Sequence, residues 1–265
     1  LRAQDAPAAP ESWDARLTAV TGEVVVHPAD GGEESSAEIG MPLEQGDRIV
    51  TSPGAEAEIA LDGGSLITLR ENSDFTLEKT AKSESVFALA LGSMLAKIQK
   101  LGTQRLQIRT PSSVAAVRGT EFGVEVEGEQ SHVGVFDEGR VEVSGSGATQ
   151  VLTPNQETSV AKGQPPRKAA PLKRFVVHRA RMQAQLRRLR TVRRNWKKQA
   201  PAQRRAHRKQ VLERMRELRR NARAQREKMQ KIRANHPNLD RKNKRPRRKR
   251  PLKKAQKKAP NGERQ

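Results

Sequence analysis

Cysteine and tyrosine are both absent from the 265-residue sequence, and aromatic side chains make up only 3% of it. Without cysteine there is no disulfide framework, no thiolate nucleophile and no cysteine-ligated zinc or iron–sulfur centre. The five histidines, at 27, 132, 178, 207 and 236, are scattered without metal-ligand spacing, so no metal and no cofactor is expected. No apolar run approaches the roughly 20 residues of a membrane-crossing helix, and no span is expected. There is no phosphate-binding glycine loop, no nucleophile elbow and no Ser/His/Asp grouping. The chain reads as a binding protein rather than an enzyme.

Charge is plentiful but unevenly placed. The net charge is +22, yet the residues before Pro165-Pro166 carry 13 basic and 25 acidic side chains, and those after carry 39 and 5. The halves therefore stand at −12 and +34. So large an asymmetry marks two bodies with different partners, because one core would have to hold its own repelling surface together.

The acidic half has a β pattern. Turn signals recur every ten or so residues between runs of alternating apolar side chains. Strands are expected at Glu23–His27, Asp47–Thr51, Ala55–Leu61, Ser65–Arg70, Phe75–Glu78, Val86–Leu91, Ser93–Ile98 and Leu106–Thr110. Further ones are expected at Phe122–Val126, Val133–Phe136, Val141–Ser144 and Glu157–Val160. Many short antiparallel strands with glycine turns imply a mainly β domain, built as a sandwich, a barrel or a solenoid-like stack.

After Pro171 the apolar period becomes about 3.5, through Met182, Leu186, Leu189, Val192 and Trp196 and again through Met215, Leu218, Ala222, Met229 and Ile232. Two helices are expected, as a hairpin or a coiled coil, parted at Ala200-Pro201 because proline suits only the first turn of a helix. Beyond Pro237 the Lys/Arg/Pro-rich chain should be disordered. The domain plan is then a linker over 1–15 following a removed signal peptide, a β-domain over 16–162, a linker over 163–171, basic amphipathic helices over 172–236 and a basic tail over 237–265. The signal-peptide expectation rests on Leu1-Arg2-Ala3 followed by Gln4-Asp5-Ala6-Pro7.

Candidate sites have bland readings beside them. Gly46-Asp47 and Asp62-Gly63-Gly64 could offer oxygen ligands, but turn chemistry accounts for both. Asp137-Glu138 with Glu142 reads as a hairpin turn. Arg118 and Thr120, in Arg118-Gly119-Thr120, form an interaction candidate in which the arginine either pairs internally or faces a partner. In the tail, Arg187, Arg188, Arg193, Arg194, Arg204, Arg205, Arg219, Arg220, Arg247 and Arg248 are arginine pairs suited to bidentate grip on phosphate or carboxylate. Only Glu213, Glu217 and Glu227 offset the helical ones. Trp196 is the only aromatic residue after Phe175, so the stacking platforms of single-strand nucleic-acid recognition are missing.

Several segments in order carry a family likeness: Val20-Thr21-Gly22-Glu23-Val24, Leu43-Glu44-Gln45-Gly46-Asp47-Arg48-Ile49-Val50-Thr51, Ala57-Glu58-Ile59-Ala60-Leu61-Asp62-Gly63-Gly64-Ser65 and Val117-Arg118-Gly119-Thr120-Glu121-Phe122-Gly123-Val124. Over Leu17 to Ala161 the chain resembles the FecR domain. The resemblance implies a periplasmic or otherwise extracytoplasmic β-domain, named for a regulator that relays siderophore-receptor occupancy across the inner membrane to a sigma factor. It implies no catalytic residues. That regulator carries an anti-sigma segment and a membrane helix ahead of the domain, which the present sequence does not show, so an envelope module acting without them is the expectation. Its β-domain would engage a protein partner. Its tail would grip lipopolysaccharide, acidic lipid, peptidoglycan or teichoic acid, or fold back on the domain's own acidic surface. The alternative is a nucleic-acid-binding protein that coats phosphate with the same tail. The sequence does not give the oligomeric state.

Overall fold

The computed structural model describes residues 12–61, 63–99, 105–178, 194 and 201–235. Residues up to Ala222 cluster as one compact unit and those from Arg223 as a second. Among the described residues of the first, the alternation of apolar and polar side chains becomes a continuous 17-stranded sheet folded on itself. The strands are β1 Ala15–Thr21, β2 Val24–His27, β3 Ser35–Ser36, β4 Pro42–Leu43, β5 Arg48–Thr51, β6 Glu56–Leu61, β7 Leu66–Leu69, β8 Asp74–Ala81 and β9 Glu84–Lys97. They continue with β10 Arg105–Arg109, β11 Val114–Val117, β12 Glu121–Glu127, β13 Gln130–Val135, β14 Val141–Gly145, β15 Ala148–Leu152, β16 Gln156–Ala161 and β17 Ala170–Pro171.

Pairing divides them into two layers that share β9. One layer runs β3-β2-β5-β8-β9-β10-β11-β14-β15. The other runs β4-β1-β6-β7-β9-β12-β13-β16-β17. Alternate residues of both layers, among them Leu17, Ile49, Ile59, Phe75, Phe87, Val124 and Val143, are fully buried in one core. Burying one face of each strand fixes its register, because a one-residue slip would turn that face outward.

The β class read from the sequence holds, with strands β1, β3, β4, β11, β15 and β17 beyond those expected and with other differences. Val86–Leu91 and Ser93–Ile98 are expected as separate strands but form the single 14-residue β9. Gly92 between them takes φ +87°, and a Cβ there would lie 2.4 Å from Ser73 Oγ, so glycine lets the strand bend from one layer to the other without ending. One pairing, β9 with β10, is parallel. The domain is also longer than 16–162. Ser12 bridges Ala81, Trp13 is buried, and at the other end β17 adds to β16 inside the stretch read as a linker.

Past β17 the chain lies on the outer face of the second layer rather than opening a helix at 172. Phe175 is fully buried there with Phe136 and Leu95. Its seat is made by absence: Gly123 and Gly134 face each other across β12 and β13, and a Cβ on either would come within 2.6 Å of the Phe175 ring. Arg174 fastens the same segment, donating to Glu125 at 2.5 Å and to Glu127. Glu157 accepts the backbone N–H groups of Lys173 and Arg174. Helix α1, Pro201–Asn235, begins at the expected proline. Most of the first expected helix and the basic segment from 236 onward lie outside the described residues.

Candidate interface between an acidic edge and a basic helix

Helix α1 carries 13 basic and 3 acidic residues. Arg208, Val211, Leu212 and Met215 are half-buried, while the described side chains around them are exposed. At 3.6 residues per turn these four lie within about 100° of arc, so one narrow face of the helix is covered. Met215 packs against the β core.

The surface that receives Arg208 is built by the pairing of β1 with the edge strand β4, where Ala15 stands opposite Leu43. Arg208 donates to Asp14 Oδ1 at 3.0 Å, to the Ala15 carbonyl at 3.0 Å and to the Leu43 carbonyl. Its guanidinium thus satisfies an acceptor that a two-residue edge strand would otherwise present to water. Asp14 is itself oriented by Arg16, through bonds of 3.2 and 2.8 Å. Two turns further along, Arg216 pairs with Glu44 at 2.8 Å.

The glycine–aspartate turn after β4 sets the position of Glu44. Gly46 adopts φ +87° and its N–H reaches the Leu77 carbonyl, while the Asp47 carboxylate accepts the N–H of Ala29 at 3.1 Å and of Glu44 at 2.8 Å. Asp47 is therefore spent on loop geometry, as the turn reading holds. A groove of about 300 Å³, lined by Pro28, Asp30, Pro42, Gln45, Leu212 and Met215 among others, adjoins the contact.

Among the residues singled out from sequence, Arg118 is exposed and makes no ion pair among the described residues. It rims a small pocket with Lys82 and Arg105, floored by Trp13, whose ring lies 5.5 Å from Lys82 Nζ. Thr120 does something else: it is fully buried, and its hydroxyl donates to the Arg140 carbonyl and accepts the Arg140 N–H, both at 3.1 Å. It locks the turn after β13. Glu142 pairs with Arg140, and Glu138 with Lys97, so these two carboxylates are held in ion pairs. Arg194 and Arg220 are exposed on helix. Arg204, Arg205 and Arg219 fall within α1 with side chains outside those described, and Arg187, Arg188, Arg193, Trp196, Arg247 and Arg248 lie wholly outside the described residues. Among the described residues no group of His, Asp and Glu converges as a metal set, and no helix is long and apolar enough to cross a membrane.

Residues 47–142, from the Gly-Asp turn to the start of β14, match the family model described as FecR protein. The chain carries a FecR domain. The FecR match takes in Asp47, Arg118 and Thr120 but not Asp14 or Glu44, and β1 and β4 stand outside it. Two crystal structures of a proposed anti-sigma factor from Parabacteroides distasonis are each 18% identical with a TM-score of 0.44, covering 49% of this chain and 62% of that one. A cell surface anchoring domain is 22% identical with a TM-score of 0.22, covering 24% of this chain and 83% of its own. These likenesses are too distant to bear on function, and the chain spans about three fifths of the anti-sigma factor's length. No curated protein matches the chain.

Asp14, Glu44, Arg208 and Arg216 were not singled out by sequence reasoning. The only signal was the spacing of Arg208, Leu212 and Arg216 at intervals of four, which puts them on one helix face.

Proposed function

We propose that the protein is a non-enzymatic extracytoplasmic binding and signalling module, in which the FecR domain engages a protein partner while the basic helical tail holds an anionic envelope polymer. The observation that carries the second half is a set of exposed basic side chains on α1. Arg214, Arg220, Lys228 and Lys231 are exposed and make no ion pair among the described residues. Glu213 and Glu227 are drawn instead to Lys209 and Arg223. Unpaired arginine and lysine on a helix bind polymeric phosphate or carboxylate with release of counterions, so affinity falls steeply as salt rises. The FecR match supports the signalling role.

The test is co-sedimentation of the full chain with lipopolysaccharide and with vesicles containing acidic phospholipid, beside duplex DNA of random sequence, over a salt series. Fractionation of cells expressing the natural gene product runs alongside. Binding to the envelope anions that is lost in R214E/R220E/K228E, with the protein outside the cytoplasm, is the expected result. A cytoplasmic, nucleoid-associated protein that binds only DNA would replace this reading with the nucleic-acid one.

A further inference from the structure

The arginines that dock α1 onto the β-domain use the chemistry that an external polyanion would use. Arg208 is taken up by a carboxylate and two carbonyls, and Arg216 by a carboxylate. We propose that the acidic edge formed by Asp14, Glu44 and the carbonyls of Ala15 and Leu43 is an intramolecular latch that competes with anionic polymer for this face of the tail helix. The inference rests on the polyanion reading of the tail and adds its regulation.

Two features favour a releasable contact over permanent packing. The apolar part is small: among the described residues of α1 Met215 packs on the core, Val211 and Leu212 are half-buried, and Leu218, one turn on, is 60% exposed. The rest is polar: Arg208 and Asp14 are 17% and 15% exposed and Arg208 also bonds two carbonyls, whereas the Arg216–Glu44 pair is open to solvent, with side chains 48% and 38% exposed. Such pairs weaken with salt and with competing anions. Polymer that must also recruit Arg208 and Arg216 has its apparent affinity reduced by the unlatched fraction. Linkage makes the effect reciprocal: polymer on the helix must free the acidic edge, exposing Asp14 and Glu44 to a basic segment of a partner.

The experiment uses the full chain and heparin as a soluble polyanion probe. Opening the latch with D14N/E44Q should tighten heparin binding by about 5- to 30-fold. E129Q/E142Q, which removes the same charge at exposed positions away from the edge, should stay within about twofold of wild type. E44Q alone, at a half-buried position whose side chain bonds Arg216 at the rim of the contact, should give a smaller gain in the same direction. Because the chain has no cysteine, M215C supplies a single thiol at the contact, and heparin should accelerate its labelling. Equal heparin affinity of D14N/E44Q and E129Q/E142Q, or labelling of M215C unchanged at saturating heparin, overturns the latch while leaving polyanion binding standing. Failure of both wild type and D14N/E44Q to bind heparin overturns the polyanion reading and the latch with it.

Discussion

Replacing Phe175 by alanine is the sharpest test of where the β-domain ends. The ring is fully buried against Phe136 and Leu95, with Leu172 beside it, and it fills the flat patch left by Gly123 and Gly134. Truncating a buried phenylalanine costs about 3–5 kcal/mol when the surroundings cannot collapse, and a β-sheet surface pinned by its ladder collapses little. Gly134→Ala should cost about 1–3 kcal/mol by overpacking, since its new Cβ would stand 2.5 Å from Phe175 Cδ2 and 2.8 Å from Leu172 Cδ1. The decisive quantity is their coupling. With the ring gone, an alanine at 134 meets space, so the double variant should be less destabilised than the sum of the singles by about 1–3 kcal/mol. Urea unfolding of the full chain, followed by far-ultraviolet circular dichroism at fixed m-value, reads all four corners of the cycle. A loss below about 1 kcal/mol for Phe175→Ala, or strictly additive effects, would show that residues 172–178 are not part of the folded domain.

Three further outcomes are expected. Gly92→Val should destabilise strongly, because it forces a β-branched residue to φ +87° and into Ser73 and Asn72; a thermal midpoint within error of wild type would refute the bend in β9. Asp47→Ala should cost about 1–3 kcal/mol by leaving the N–H groups of Ala29 and Glu44 without their acceptor, measurable as a fall in the urea midpoint, and an unchanged midpoint would contradict it. Burial first, and the Arg174 cation second, hold the His132 imidazole below its ordinary 6.5. The unfolded chain then binds the proton more readily, so this group favours unfolding as pH falls below 6.5, and its influence vanishes above that value. His132→Gln should flatten that part of the stability–pH curve, and parallel curves for the two proteins would count against the assignment.

The sequence by itself determined the β class, the charge division and the start of α1 at Pro201, because each depends on local pattern: period-two alternation, composition and a proline that fits only a first turn. The glycine–aspartate turn and the Val-Arg-Gly-Thr segment were legible for the same reason, as short stretches with strong backbone preferences. Strands β1, β11 and β15 were not, since the register of β1 shifts between Leu17 and Ala19 and neither Val-Ala-Ala-Val nor Ala-Thr-Gln-Val-Leu alternates cleanly. Only the tertiary structure decided that β9 crosses between layers, that Gly123 and Gly134 meet to seat a phenylalanine about 40 residues downstream in a stretch composed like a linker, and that Arg208 finds Asp14 at a separation of 194 residues. Those contacts join positions whose own neighbours in sequence give no sign of them. They arise from burial of apolar surface and from charges brought together by the sheet, which no local pattern encodes.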